Sequence, residues 1–444
     1  MPNRIGHQSE NQMNCLFVVP PIYDFSAFDL WAKPYGFLSL IKMFRENGAG
    51  IFFFDFLERT GPLYSKTHEK QFGTGKYFAT EVEKPPAYIN VPKKYKRFGL
   101  PVEEFLEYID KIPAPDCVFV TSGMTYWYPG VVEVLQTVRN RFPRAMIFVG
   151  GVYATLCAKH ALKLPADFVF CGRDLEEFAG RFQTISGMPL RCTSGIEPDW
   201  SVYQKLSYLC VRTSTGCPFS CDYCASGLMS PHFVQRSPEQ VAQEIITNAD
   251  NFNVRDIVFY DDALMVNFDN HLDRIIRLLD GRKFQFHTPN GIHPRFITEK
   301  TAQVLADAGF KTIRLSFEGS DAVVSKASHL KVSMKNLENA LRNLQHAGID
   351  IKDIGIYILA GLPGQSPEDV RKTIRLLLSF GAPIKLAEYS PIPGTRLFNE
   401  VMKFMPYTDW EEPLNHNNSI FPCWDIPGKW EIINELKAEL KTQV

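Results

Sequence analysis

The chain contains no apolar run near the roughly 20 residues that a membrane-spanning helix needs, so nothing in its 444 residues reads as a transmembrane segment. Its formal net charge is only -1. Its 48 Lys and Arg stand against 49 Asp and Glu, which excludes a general attraction to nucleic acid or to an acidic membrane surface. Cysteine is sparse at ten residues, far below the density of a disulfide scaffold. Seven of the ten are scattered, several in apolar strand-like surroundings such as Cys117, Cys171 and Cys210; these are expected to be small buried residues in a reducing compartment. No signal-peptide pattern opens the chain, and residues 1–14 (MPNRIGHQSENQMN) are expected to form a loose polar tail. These absences predict a soluble cytoplasmic protein without a membrane partner.

What is present is strand–helix alternation, in two successive runs. The first covers 15–182: CLFVV (15–19), a helix over 35–47, IFFFDF (51–56), CVFVTS (117–122), a helix over 129–141, MIFVGG (146–151), a helix near 154–163 and DFVFCG (167–172). Strands separated by helices predict a doubly wound, Rossmann-like parallel sheet. Ligands of such sheets sit beyond the carboxyl ends of the strands. Here small residues at those ends, Ser122 and Gly150-Gly151 among them, permit close backbone approach.

An insertion over 61–100 interrupts this run. It holds eight Lys or Arg against three Glu, interleaved with Tyr and Phe, and ends in KKYKRF (93–98). A nucleic-acid contact is one reading. A solvated insertion packed by its own aromatics is the preferred one, because the patch is short and the rest of the chain is neutral. Residues 183–207 lack periodicity and carry Pro189, Pro198 and Trp200, which predicts a linker.

The second run covers 208–397. Its strands read YLCVRTS (208–214), DIVFYDD (256–262), FQFHTPN (284–290), TIRLSFE (312–318), IGIYILAG (354–361) and IKLAEYS (384–390). Helices between them open on signals such as Ser237-Pro238-Glu239 and Ser366-Pro367-Glu368. Polar residues close nearly every strand. Six such units predict a partial TIM-like (β/α)6 barrel, with its active face at the carboxyl rim. Residues 398–444 are less regular, rich in aromatics and turn formers, and are expected to cap the site.

The stretch TGCPFSCDYCAS (215–226) follows the first barrel strand and sets Cys217, Cys221 and Cys224 in the spacing C-x3-C-x2-C. Thiolates at this spacing bind zinc or an iron–sulfur cluster. Zinc wants a fourth ligand, and neither His232 nor Cys210 stands at a usual zinc distance. A three-cysteine [4Fe–4S] cluster leaves one iron open, and an open coordination position marks catalysis. A non-catalytic iron–sulfur or zinc protein is the alternative from another class.

With Tyr223 ahead of the last cysteine, the loop resembles that of the radical S-adenosylmethionine (SAM) superfamily over about 208–397. The resemblance implies that SAM chelates the open iron of a [4Fe–4S] cluster, and that one electron from a donor such as flavodoxin or ferredoxin cleaves it to a 5′-deoxyadenosyl radical. It further implies that Asp261 and Asp262 meet the SAM amino group, that Asn290 and Arg295 follow strand three with Arg295 facing the SAM carboxylate, and that Glu318 accepts from the ribose. GLPGQ (361–365) resembles the family's GLPGE-type turn, with Gln365 in place of the acid.

The order of motifs in the first domain resembles the class of these enzymes that carries a cobalamin-binding domain, with Ser122, Gly150 and Gly151 as corrin-facing positions. The D-x-H-x-x-G motif of many cobalamin carriers is missing, and no histidine lies between His7 and His68. The resemblance implies a cobalamin-dependent methyltransferase acting on an unactivated centre of a small molecule. A rearrangement or cyclisation, or a cobalamin-free enzyme modifying a peptide or nucleic acid, are its alternatives.

Overall fold

A computed structural model describes residues 12–59, 69–192, 197–329 and 332–441. Most of the expected tail, the first part of the basic insertion and four positions of the expected linker lie outside the described residues.

The apolar run NCLFVV forms β1 (Asn14–Val19). It pairs in parallel with β2 (Gly50–Asp55) on one side and β3 (Cys117–Val120) on the other. β4 (Met146–Val149) and β5 (Phe168–Val169) extend the sheet, giving the order 2-1-3-4-5. Alternate residues enter opposite cores: Phe17, Phe119 and Phe148 on one face, Val18, Val120 and Val149 on the other. Both faces are covered, which is why these strands read as continuous apolar runs. The reversal of strand order between β1 and β3 places a crevice at their carboxyl ends, bounded by Pro20-Pro21 and residues 121–124.

The helix Tyr128–Arg141 starts against this crevice. A Cβ on Gly130 would lie 1.8 Å from the Pro21 carbonyl oxygen, a backbone atom that cannot swing aside. Gly130→Ala is therefore expected to destabilise the fold by about 2 kcal/mol or more, read by calorimetry as a fall of several degrees in Tm. Gly180→Ala is the control: nothing lies within 4 Å of its Cβ position, so Tm should hold or rise slightly.

Six sequential parallel strands form the second sheet: β6 (Leu209–Val211), β7 (Asp256–Phe259), β8 (Gln285–His287), β9 (Phe310–Glu318), β10 (Ile354–Ala360) and β11 (Ile384–Glu388). β6 and β11 do not pair, so the barrel is incomplete, as expected. Its helices start on side-chain caps: Thr298, Ser333 and Ser366 each form a reciprocal capping box. Strand β6 is shorter than the apolar run suggests. The Thr213 N–H bonds the Asp261 carboxylate instead of a neighbouring strand. Residues Ser214–Thr215 then pair antiparallel with Val234–Gln235.

One continuous core runs from the first sheet into the barrel, through Phe17, Trp200, Tyr208 and Phe259. Buried polar bonds lock the same interface. Tyr208 Oη donates to Asp29 at 2.7 Å, Tyr203 Oη to Asp55 at 2.7 Å, and the Lys33 N–H to Tyr260 Oη at 2.8 Å. Within 183–207, the helix Leu175–Ser186 ends at left-handed Gly187, and Trp200 and Tyr203 are buried rather than loose.

Several of the insertion's described cations bond to groups of the protein itself. Arg97 pairs with Glu133 at 2.7 Å, Lys94 with Glu81 at 2.7 Å, and Lys93 Nζ donates to the Ser419 carbonyl at 2.7 Å. Phe25, Tyr88 and Tyr95 form a buried aromatic cluster, and Tyr88 Oη donates to the Leu414 carbonyl. This is the packed-insertion reading. The C-terminal segment reaches both sheets: Tyr126 Oη donates to Asn418, His416 bonds Thr125, and Ser390 Oγ donates to the His416 carbonyl. Burial pushes the His416 imidazole down to about 4. None of the ten cysteines is in a disulfide; Cys117 and Cys210 are buried as expected, while Cys171 is half-buried. Among the described residues no helix is long and apolar enough to cross a membrane.

Candidate active site

The loop that carries the three cysteines is held from below by one buried carboxylate. Asp261, at the end of β7, accepts the Thr213 N–H at 3.1 Å, Thr213 Oγ1 at 2.8 Å and Ser214 Oγ at 2.5 Å. Burial raises its pKa despite these bonds. His271 adds a bond of 3.1 Å to Thr213 Oγ1. Gly216 then turns the chain at φ +71°, and Cys217 follows.

Asp222 pins the loop from two further sides. Its N–H donates to the Ala327 carbonyl at 2.8 Å, and its own carbonyl accepts from the Leu397 N–H at 2.9 Å. Its carboxylate meets His329 at 2.9 Å. Leu397 lies in the Gly- and Pro-containing stretch YSPIPGTRLF (389–398) after the last barrel strand, so this turn buttresses the cysteine loop. Cys224 Sγ accepts from the Ser226 N–H at 3.4 Å and stands 3.2 Å from Ser226 Oγ.

All three thiols line one cavity of about 190 Å³, together with Tyr223, Asp262, Asn290 and Glu318. Each thiol reaches it from a loop fixed by other atoms; Asp262, His293 and Glu318 share the cavity, no disulfide joins the three cysteines, and among the described residues no three His, Cys, Asp or Glu side chains are gathered closely enough to hold a metal ion. Three cysteine thiols on one loop are the kind of donor that an iron–sulfur cluster takes. The Tyr223 hydroxyl is buried in the cavity wall and makes no hydrogen bond of normal geometry among the described residues; burial raises its pKa. Asp262 is exposed to the cavity and makes no side-chain hydrogen bond, leaving its carboxylate available to an ammonium group. Asn290 spends its amide N–H on the Tyr260 carbonyl at 2.9 Å, which leaves its oxygen as an acceptor.

Glu318 has φ +75°, an uncommon conformation for a side-chain-bearing residue. The pairing of β9 with β10 shifts register between Ser316 and Glu318. Bulges next to active sites re-aim a side chain, and this one turns the Glu318 carboxylate into the cavity wall.

Two of the sequence-predicted residues stand elsewhere. Asp261 lies beneath the cavity in its Thr213–Ser214 network. Arg295 is drawn off the cavity lining by two rings, its guanidinium 4.8 Å from the Phe219 centroid and 4.9 Å from that of Phe296. Conversely, Ser316, His293, Phe296 and Met265 line the cavity without a sequence motif to mark them. Gln365 has a structural task. Its Oε1 accepts from the Gly361 and Leu362 N–H groups, and its Nε2 donates to Asp321 at 3.0 Å and the Leu359 carbonyl at 3.2 Å.

Replacement of Gln365 by Glu sets a buried acceptor against two others, at an expected cost of about 3 kcal/mol. The introduced carboxyl's folded-state pKa is raised, so the loss should be small at acidic pH and full at neutral pH, as denaturant melts at pH 5 and 7.5 would show.

The first sheet presents a separate surface. Ser122 Oγ donates to the Gly150 carbonyl at 2.6 Å and accepts from the Ala154 N–H, so its hydroxyl fixes the loop rather than facing outward. Gly151 has φ +99°, and a Cβ there would lie 2.4 Å from the Ser122 carbonyl oxygen. Gly150 is open, with only the Phe170 carbonyl oxygen within 4 Å of its Cβ position. The exposed Met124 completes this rim. A flat macrocycle fits such a surface of open backbone and apolar side chain.

Residues 211–377 match the Radical SAM superfamily. Among curated proteins, the chain is 24% identical over 193 residues to an uncharacterized methyltransferase of Pyrococcus horikoshii, covering 42% of this chain and 40% of that one. It is 21% identical over 341 residues to the anaerobic magnesium-protoporphyrin IX monomethyl ester cyclase of Cereibacter sphaeroides, covering 67% and 55%. The matches thus span about half the length of these relatives. Among solved structures, the radical SAM methyltransferase TsrM of Kitasatospora setae superposes with a TM-score of 0.64 at 14% identity, over 88% of this chain and 76% of that one. The cobalamin-dependent radical enzyme OxsB gives a TM-score of 0.57 at 12% identity, over 96% and 56%. These two likenesses establish the whole-chain fold, a doubly wound sheet joined to a partial barrel. The stretch that matches the Radical SAM superfamily, residues 211–377, holds the cysteine loop and most of the barrel.

Proposed function

We infer that the chain is a cobalamin-dependent radical SAM methyltransferase that acts on an unactivated centre of a small molecule. The observation that carries this is one cavity, at the carboxyl ends of the barrel strands, in which three pinned thiols share a wall with the unpaired carboxylate of Asp262. When bound, a [4Fe–4S] cluster supplies the electron that cleaves SAM, and cobalamin supplies the methyl group.

In this reading Cys217, Cys221 and Cys224 hold the cluster. Asp262 receives the SAM ammonium, and Asn290 Oδ1 and Glu318 accept from its polar hydroxyls. Asp261 and Asp222 act as positioning residues, keeping the cysteine loop in place from below and from the side. Arg295 braces Phe219 and Phe296 at the outer wall. Gly150, Gly151 and Ser122 shape the shelf for the corrin. His160 and His416, the histidines packed near this end of the sheet, are engaged with Tyr153 and Thr125; neither is offered to a cobalt ion. The name methyltransferase borne by the Pyrococcus relative, and the cobalamin and methyltransferase in the names of the two structural neighbours, support the same reading. Free cysteines suit a reducing cytoplasm, and an external flavodoxin or ferredoxin suits the one-electron requirement.

The test is anaerobic reconstitution with iron, sulfide and hydroxocobalamin, then absorbance and mass spectrometry after addition of SAM and a reductant. Corrin bands together with 5′-deoxyadenosine are expected. Cluster and 5′-deoxyadenosine without retained corrin would favour the cobalamin-free alternative. No SAM cleavage with a competent electron donor would sink both.

A further inference from the structure

The cysteine loop leaves and rejoins the fold through a hairpin of two residues per strand, Ser214–Thr215 against Val234–Gln235. A hairpin that short is marginal on its own. Val234 is 57% exposed, so core packing does little for the returning strand. Asp261 holds the outgoing strand from below. The returning strand has the Gln235 amide, which donates to the Val266 carbonyl at 3.0 Å, and then Arg236.

Arg236 joins segments of both sheets. Its N–H donates to the Thr213 carbonyl at 2.9 Å, which extends the hairpin ladder by one bond. Its guanidinium donates to the Arg212 carbonyl at 2.8 Å, just past β6, and to the Tyr35 hydroxyl at 3.3 Å. It pairs with Glu244 at 2.7 Å, and the two side chains are 10% and 2% exposed. Tyr35 Oη in turn donates to Glu244 at 3.3 Å. Tyr35 opens the helix Tyr35–Glu46, which packs on the first sheet; Glu244 lies in the barrel helix Pro238–Phe252. Glu197 stands between the same parts, 2.7 Å from Lys42 of the first helix and 3.6 Å from Arg236.

Burial raises the Glu244 pKa, with the Arg236 charge opposing it. Desolvation offsets much of the attraction in a buried ion pair, and apolar residues of similar volume often stabilise a fold as well. They do not supply a planar fork that holds several acceptors at set angles. Setting register is the best-attested use of such a buried group. Here the acceptors are a strand-end carbonyl, a carboxylate and a hydroxyl from three different segments.

We propose that Arg236 is a positioning residue for the cysteine loop: it fixes the returning strand of the hairpin to Tyr35 and Glu244, and so places Cys217 relative to both sheets. This rests on the reading that the three thiols hold a cluster.

The experiment is hydrogen exchange on the full chain, read by mass spectrometry before reconstitution. Arg236→Lys keeps a charge for Glu244 and loses the fork. Amides of 214–215 and 234–236 should exchange about tenfold faster, while those of β1 and β3 stay protected. The double variant Arg236→Met with Glu244→Met removes both buried charges and should show the same local rise, with Tm near that of the wild type. It carries the test where Arg236→Lys does not fold. Tyr35→Phe should give a smaller rise at the same amides. After reconstitution, the electron paramagnetic resonance lines of the reduced cluster should broaden in Arg236→Lys, as the cluster takes more than one position. Unchanged exchange in the Arg236 variants overturns the proposal. So does a uniform rise over both sheets, which marks a role in stability alone. Unchanged lines with full iron overturn it as well, and no effect of Tyr35→Phe overturns the link to the first sheet. If the wild type binds no iron, the cluster reading fails, while hydrogen exchange still decides whether Arg236 places the hairpin.

Discussion

Cys221→Ala is expected to yield a folded protein with no iron–sulfur absorbance and no 5′-deoxyadenosine, and Cys217→Ala and Cys224→Ala the same. The expectation follows from what the thiols do and do not support. The loop is held by the Asp222 backbone bonds to Ala327 and Leu397, and by the Asp261 network beneath Thr213 and Ser214. None of these involves sulfur. Removing one thiol therefore leaves the loop in place, while a cluster with two protein ligands loses the set that holds it. Iron bound after reconstitution should fall from about four atoms per chain to near zero. The Tm without iron should stay close to that of the wild type, because a half-exposed thiol contributes little packing. Retained SAM cleavage in the triple variant would refute the ligand assignment outright. An unfolded single variant would show instead that the thiol side chains are structural.

The cysteine loop and the barrel were both legible in the amino-acid order, for physical reasons. That the three thiols share one cavity is readable from their spacing because all three belong to one loop. The barrel helices announce themselves through short-range caps at Thr298, Ser333 and Ser366, which need no tertiary context. The roles of Asp261 and Asp262 were not separable this way. They are neighbours at a strand end, and alternation sends them to opposite sides; one is buried under Thr213 and the other faces the cavity. Which is which depends on where β7 stops, and that depends on a bond to another strand. Glu318 is a related case. Strict alternation does not predict its direction, because the register shift after Ser316 resets the pattern.

Arg295 sits where a carboxylate partner was expected. Its stacking on Phe219 and Phe296 joins residues 76 and one positions away, and such long-range contacts carry no periodic signal. The segment over 410–421 shows the same limit on a larger scale. Its aromatics and turn formers read only as irregular, yet its bonds to Tyr126, Thr125, Tyr88 and Ser390 tie the first sheet, the insertion and the barrel rim together.

Gly216→Ala is expected to be nearly as damaging to the site as loss of a cysteine. Gly216 sits between the short hairpin strand Ser214–Thr215 and Cys217. Its φ of +71° costs a residue with a Cβ roughly 1 kcal/mol or more. The greater cost is steric. An added Cβ would lie 2.3 Å from the His232 carbonyl oxygen and 3.0 Å from that of Ser230. Both are backbone atoms on the strand side that returns from the cysteine loop, so the clash is relieved only by separating the hairpin or by moving Cys217. The first breaks the pairing of Ser214 with Gln235; the second pulls the Cys217 thiol from the cavity. Iron retention and 5′-deoxyadenosine yield should fall by about tenfold or more, a loss of order 1.4 kcal/mol in loop placement, while the far-ultraviolet circular dichroism stays native. Gly227→Ala provides the contrast in the same loop. Nothing lies within 4 Å of its Cβ position, it falls in the short helix Ser226–Met229, and alanine favours that conformation. Equal loss in both variants would mean that the loop tolerates no change of any kind. Loss confined to Gly216→Ala would mean that one backbone approach, between Gly216 and His232, sets the position of Cys217.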